Sequence, residues 1–170
     1  ILIIEADEFD RSFLQFHPDV AIITSVNVDH LDIYEDEKDL QLAFMQFASQ
    51  VKELLLVEKS IPLDFVVADK IRTITYSTKS KADYFADNIR VQDGKMIFDM
   101  KSLAINSDVI LKKKEKDIEL QIPGEHNINN AIAASAIAAY LGLSSSKIRN
   151  GLATFKGVNR RFEKHIETDQ

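Results

Sequence analysis

The stretches Asp19-Val20-Ala21-Ile22-Ile23-Thr24-Ser25 and Glu53-Leu54-Leu55-Leu56-Val57 decide the fold, together with what lies between them. Each is a short apolar run rich in β-formers, too short for a helix and bounded by polar residues. Between them Leu40, Ala43, Phe44, Phe47, Ala48 and Val51 recur three and four positions apart. That spacing gathers one apolar stripe on a helix from Lys38 to Val51. A helix between two nearly continuous apolar strands is the pattern of a parallel sheet covered on both faces. Upstream, Ile1-Leu2-Ile3-Ile4 reads as another strand of this kind, closed by Glu5. Downstream, Arg72 to Tyr76 reads as a fourth, while Asp64 to Asp69 fits helix and strand equally.

The middle of the chain changes period. Asp83 to Val91, Lys95 to Lys101, Asp108 to Lys112 and Asp117 to Ile122 alternate apolar and polar residues. Such alternation marks strands with one wet face, and Asp93-Gly94 is a two-residue hairpin signal between the first two. The run Lys112-Lys113-Lys114-Glu115-Lys116-Asp117 is expected to be a solvated loop. Helices then return. Glu125 to Leu141 is alanine-rich and apolar nearly all round, with Gly142 as its stop. Ser144 to Phe155 follows, capped by Ser144 or Ser145, with Ile148, Leu152 and Phe155 on one face. The expected class is α/β: a mostly parallel sheet flanked by helices, with a small antiparallel β insertion at about 83–122.

Composition narrows the functions. Of 170 residues, 45% are hydrophobic and 28% charged, and the net charge is −6. An acidic chain of this kind lacks the basic surface that duplex nucleic acid demands. No apolar run is long enough to span a membrane, and no signal peptide pattern opens the chain. The absence of cysteine rules out disulfides and thiolate zinc sites, which fits a cytoplasmic protein. The five glycines, Gly94, Gly124, Gly142, Gly151 and Gly157, form neither a G-x-x-x-x-G-K-[ST] nor a G-x-G-x-x-G pattern, so these residues supply no phosphate-cradling loop. An apolar strand at position 1 and a tail from Glu163 without a stop signal suggest a piece of a larger protein.

Three constellations are candidates for chemistry. In an open α/β sheet, ligands sit beyond the carboxyl ends of the strands. Glu5 and His30 both fall there, and a carboxylate with an imidazole can share a divalent ion with waters and phosphate oxygens. Asp29 or Asp32 would orient the imidazole; ordinary loop polarity explains the same residues. In Gly124-Glu125-His126-Asn127-Ile128-Asn129-Asn130-Ala131 a glycine opens a buried helix. Its backbone N–H groups and the amides of Asn127 and Asn130 suit a phosphate or a base edge, and helix capping by asparagine is the alternative. In Gly157-Val158-Asn159-Arg160-Arg161-Phe162-Glu163 an arginine pair suits a phosphate clamp or an ion pair with Glu163. His17 and His165 carry no evident role.

Taken in order, E-A-D-E-F-D-R-S-F-L, V-A-I-I-T-S-V-N-V-D-H-L-D-I-Y, G-E-H-N-I-N-N-A and G-V-N-R-R-F-E resemble the central, ATP-binding domain of the Mur ligases, the ATP-dependent ligases of peptidoglycan synthesis. The resemblance covers nearly the whole chain, and E-A-D-E is most similar to the L-alanine-adding member. It implies residues 1–163 as part of that P-loop-type domain, its N-terminal part missing, and 164–170 as a linker toward a further domain. It implies a parent enzyme that joins L-alanine to UDP-N-acetylmuramate with ATP and magnesium, by way of an acyl phosphate. Glu5 and His30 match the family's magnesium ligands. Asn127 and Asn130, with His126 beside them, match positions at the adenine, and Arg161 matches an arginine at the ATP phosphates. Met45 stands about where several sister ligases place a magnesium-associated lysine. Lacking the phosphate loop, the 170 residues alone are expected to be inactive, and the apolar edge of the Ile1–Glu5 strand is expected to cause self-association or a lowered stability. Another Mur-type ligase, a folylpolyglutamate synthetase-like ligase and a non-catalytic nucleotide-binding module remain alternatives.

Overall fold

The computed structural model describes residues 1–26, 33–62, 71–103 and 114–158. The chain divides into two units, Ile1–Thr75 and Tyr76–Gln170.

In the first unit β1 (Val20–Ile23) pairs in parallel with β2 (Leu54–Glu58), Val20 opposite Leu54 and Ile23 opposite Val57. Helix α1 (Glu37–Gln50) connects them, as its spacing predicts. Asp36 caps it by accepting from the Asp39 backbone N–H at 2.9 Å, which satisfies one of the donors a helix start leaves open. Leu40, Ala43, Phe44, Phe47 and Ala48 are buried along its inner face. They pack with Ala21, Ile23, Leu55 and Val57 and with Phe13, which sits on a 3-10 turn over Ser12–Gln15. The Phe13 ring lies 5.3 Å from both Phe44 and Phe47, tilted to each, a favoured arrangement for aromatic pairs. Gln50 seals the turn by donating to the carbonyls of Leu14 and Phe16. Strand β3 (Arg72–Ser77) begins in this unit.

Two expectations fail here. Ile1 to Ile4 form no strand: residues 1–7 have no regular structure, and Ile1 and Ile3 are 98% and 89% exposed. A strand exists through its ladder partners, and this stretch pairs with none of the described strands. β1 is buried on one face only, because Ala21 and Ile23 point into the core while Ile22 is exposed. β2 is buried along all five of its residues, as expected, though it runs one residue later than expected, from Leu54 to Glu58. Residues 64–69 lie outside the described part.

In the second unit the end of β3 pairs in parallel with β4 (Tyr84–Gln92), through Tyr76–Tyr84 and Ser77–Phe85. Then β4 runs antiparallel to β5 (Lys95–Ser102), and β5 antiparallel to β6 (Lys114–Leu120). The β4–β5 turn is Asp93-Gly94, with φ of 50° and 73°, the double left-handed conformation of a tight hairpin turn. From Lys114 on, the charged run is not a loop. Lys114 to Asp117 belong to β6, because Ile118 and Leu120 anchor that strand in the core and its polar start follows the same ladder. Lys112, Lys113 and the strand expected at 108–112 lie outside the described residues.

Helix α2 (Glu125–Tyr140) packs on β4 and β5, and α3 (Ser145–Thr154) on α2 and β6. Gly142 ends α2 as expected. Its N–H donates to Ala139 O and that of Leu143 to Ala138 O, both at 2.9 Å, with Gly142 at φ 83°; this is the Schellman arrangement. Ser144 is the N-cap residue of α3, although its hydroxyl meets Ser146 rather than the helix backbone. Of the face expected for α3, Ile148 is buried and Phe155 is exposed. The α/β class, with parallel pairing followed by an antiparallel region, is as the sequence implies.

Candidate functional site

The head of α2 is the best-built candidate. Gly124 is the N-cap residue, at φ 106° and ψ 135°, a conformation open to glycine and strained for other residues. A Cβ there would stand 2.6 Å from His126 Cε1. With no side chain on Gly124, no side-chain cap closes the helix start. The first-turn N–H groups of a helix have no partners within it, and here the Asn127 N–H is turned back to Gly124 O at 3.1 Å. Glu125 accepts from the Thr78 hydroxyl at 2.9 Å, which pins the first turn to the segment after β3. The buried residues Ile128, Ala131 and Ile132 fix the helix beneath.

His126 and Asn130 are exposed and Asn127 is half-buried. Asn127 and Asn130, three residues apart, share a side of the helix. Asn127 Nδ2 donates to Pro123 O at 2.5 Å, so this amide holds the loop that enters the helix. Helix capping by asparagine is not what the structure shows, since the N-cap residue is Gly124 and no side chain caps the helix; the bond to Pro123 is a local brace instead. It uses one of the two amide protons and leaves the second, with Oδ1, without a hydrogen bond among the described residues. Asn130 likewise has no partner there. Nothing in the residue pattern singles out Asn129, 200° around the helix from Asn127 by the 3.6-residue period. Its Oδ1 is buried and accepts no hydrogen bond among the described residues. Three asparagines in four positions look alike in sequence; only packing tells an outward amide from an inward one.

Of the other candidates, Glu5, Asp29, His30 and Asp32 belong to the first unit and Arg161 to the second. Glu5 is exposed, in the irregular segment rather than at a strand end, and has no hydrogen bond or ion pair among the described residues. His30, Asp29 and Asp32 lie outside the described residues, as does Arg161. The structure therefore brings His126, Asn127 and Asn130 together and is silent on the Glu5–His30 pair. Among the described residues no group of three or more His, Asp or Glu side chains is arranged to hold a metal ion. An uncommitted carboxylate with one imidazole still fits a hard cation that keeps waters and phosphate oxygens as its remaining ligands.

A second polar centre escaped the sequence. Asp99, 4% exposed, lies between two β-bulges, where Asn88–Ile89 oppose one residue of β5 and Lys116–Asp117 oppose another. Asn88 and Asp117 both have φ near 50°, as bulge residues often do. The carboxylate accepts from Asn88 Nδ2 at 2.7 Å and the Asp117 N–H at 3.1 Å, and pairs with Lys114 at 3.1 Å. Burial alone raises its pKa, but these donors outweigh burial and hold it at about 2. This centre is structural: it locks the two bulges to one carboxylate.

Comparison with known proteins assigns the family. The family model described as Mur ligase middle domain matches residues 1–138, and the chain belongs to the Mur ligase family. Among curated proteins it is 37% identical over 172 residues to the UDP-N-acetylmuramate–L-alanine ligase of Flavobacterium johnsoniae, covering 100% of this chain and 35% of that protein. The chain thus spans about a third of the length of such relatives. Among solved structures, the UDP-N-acetylmuramate–alanine ligase of Thermotoga maritima shares the fold, with TM-score 0.78 and 24% identity over 95% of this chain and 35% of that one. The Thermotoga maritima MurF ligase in complex with ADP shares it at TM-score 0.63 and 19% identity, over 83% of this chain and 31% of that one. No described helix is long and apolar enough to cross a membrane.

Proposed function

We propose that this chain is the nucleotide-binding part of a ligase that joins L-alanine to UDP-N-acetylmuramate at the expense of ATP, in the cytoplasm, for peptidoglycan synthesis. The observation that carries the reading is the likeness of the entire chain to a curated ligase of that specificity. The chemistry follows from the substrates. A carboxylate is a poor acyl donor; transfer of a phosphoryl group from ATP gives an acyl phosphate and ADP, and the amine of L-alanine then displaces phosphate.

The residues of this chain would bind and orient. Asn127 and Asn130 present amides that donate and accept, which suits an adenine edge, with His126 beside them. The α2 head offers backbone N–H groups and the positive end of a helix dipole to negative charge. Arg161 would hold phosphate oxygens through its planar fork. Glu5 and His30 would hold magnesium, with Asp29 or Asp32 orienting the imidazole. When bound, the ion supplies neutralisation of the charge on the phosphate oxygens. In-line positioning of the β- and γ-phosphates dominates phosphoryl transfer, and the glycines of this chain form no loop for that task. The 170 residues alone should therefore release no phosphate from ATP.

The test is phosphate release by the full-length gene product given ATP, magnesium, UDP-N-acetylmuramate and single amino acids. Release that requires both the UDP-sugar and L-alanine, with the alanyl product found by mass spectrometry, supports the reading. A preference for a UDP-muramoyl peptide or a folate as acceptor replaces it with a sister activity.

A further inference from the structure

The segment that carries Glu5 is irregular, yet it is tied down at one point. The Glu8 carbonyl, three residues after Glu5, accepts the Arg11 N–H at 3.1 Å and the Tyr34 hydroxyl at 2.6 Å. Tyr34 is 2% exposed, so its phenol reaches this carbonyl from inside the core. Arg11 closes the other side. Its Cζ lies 4.7 Å from the centre of the Tyr34 ring, and its guanidinium donates to Asp39 on α1 and to Ile33 O. Asp39 in turn accepts the Glu35 N–H at 3.2 Å. Arg11 adopts φ 58° to do this, a conformation that a non-glycine side chain holds only when its surroundings repay the strain. Further short ties brace the same segment: Asp7 accepts from the Phe9 N–H and Asp10 from the Ser12 N–H, both at 2.9 Å.

Packing alone does not call for this arrangement. Phenylalanine fills the same volume as Tyr34 and makes the same apolar contacts, so the one thing the hydroxyl adds is a fixed position for the Glu8 carbonyl. A carboxylate that contributes one ligand to a shared cation gains from a backbone held in place, since each unfixed torsion would have to be frozen on binding. We propose that Tyr34, Arg11 and Asp39 form a clasp whose task is to position Glu5 for metal binding. They are positioning residues and touch neither metal nor nucleotide. The inference rests on the assignment of Glu5 as a magnesium ligand made above.

The experiment uses the full-length gene product and Mn2+ as the probe, titrated by electron paramagnetic resonance with a saturating non-hydrolysable ATP analogue. Glu5→Gln and Tyr34→Phe are compared with the wild type, each checked by circular dichroism and thermal melting. Glu5→Gln should weaken Mn2+ binding strongly. Tyr34→Phe should weaken it about three- to tenfold, at the low end for residues that support a ligand from behind. It should also raise the metal concentration for half-maximal rate while leaving kcat at saturating metal within about twofold. If Tyr34→Phe does not fold, Asp39→Asn, which loosens Arg11, is read in the same assay and should show the same weakening. Wild-type Mn2+ affinity in the clasp variant, with or without a lower melting temperature, overturns the clasp while Glu5→Gln remains impaired. Wild-type affinity in Glu5→Gln removes Glu5 from the metal site and the clasp's purpose with it.

Discussion

The segment Ile1–Ile4 and the hairpin β4–β5 are both β-formers in sequence, and their fates differ. The hairpin meets its partner directly across the Asp93-Gly94 turn and forms a ladder from Gln92–Lys95 to Tyr84–Ser102, interrupted by one bulge. Ile1–Ile4 carries the more apolar sequence and stays irregular and exposed. Apolar content does not make a strand. An antiparallel pair closes a short loop at small entropic cost, whereas a parallel strand needs partners brought from far along the chain. Both candidate sites combine local and distant ties: the head of α2 is held by Pro123 next to it and by Thr78 from after β3, and the segment after Glu5 by Arg11 within it and by Tyr34 from beyond β1.

If local closure is what secures the antiparallel region, its largest vulnerability is Asp99. Asp99→Ala strands the Asp117 N–H, the Asn88 amide and the Lys114 ammonium, and should cost roughly 3 kcal/mol, given hydrogen bonds to a charged acceptor of about 1.5–3 kcal/mol each. The charge has a pH signature. Because the folded-state pKa is depressed to about 2 from 3.8, the stabilisation is complete above the ordinary carboxylate pKa. It is lost as pH falls from about 4 toward about 2. Melting curves of wild type and Asp99→Asn should therefore differ most above pH 4 and converge toward pH 2. A gap independent of pH would mean that shape, not charge, holds the bulges.

Gly124→Ala comes next. The backbone at φ 106° should cost about 1–3 kcal/mol, and the clash falls on the exposed His126 ring, which can turn away. A melting temperature equal to wild type would show that the α2 head is not fixed by this glycine. The smallest effect belongs to the segment that formed no strand. Ile3→Ser in the 170-residue chain should change stability by less than about 0.5 kcal/mol, as for exposed positions generally. A loss of about 2 kcal/mol would mean that Ile3 is packed, and would break the contrast with the hairpin.

What could be read in the sequence was what local rules decide. The stripe of α1 follows from its three-four spacing, the β4–β5 turn from Asp-Gly, and the end of α2 from Gly142. Placement of Asn127 on the first turn of α2 and of Asn130 on the second follows from the alanine-rich run after Gly124. Misread features depend on distant partners. Lys114 to Asp117 are charged enough for a loop, but they continue a ladder set by Ile118 and Leu120. Asp99 occupies a polar position in an alternating strand, and nothing local announces that bulges on both neighbouring strands turn donors toward it. Tyr34 and Arg11 likewise meet only after β1 and α1 are in place.

If the head of α2 binds the nucleotide, ATP affinity should depend on Asn127. ATP affinity of the full-length gene product is measured by calorimetry for wild type and Asn127→Ala, with melting temperatures for both. Loss of an amide that donates to and accepts from the base should weaken ATP binding by about 1–3 kcal/mol, well beyond any fall in stability from the lost bond to Pro123. Unchanged ATP affinity beside a lowered melting temperature would reduce Asn127 to a brace for its own helix and contradict the placement of the nucleotide.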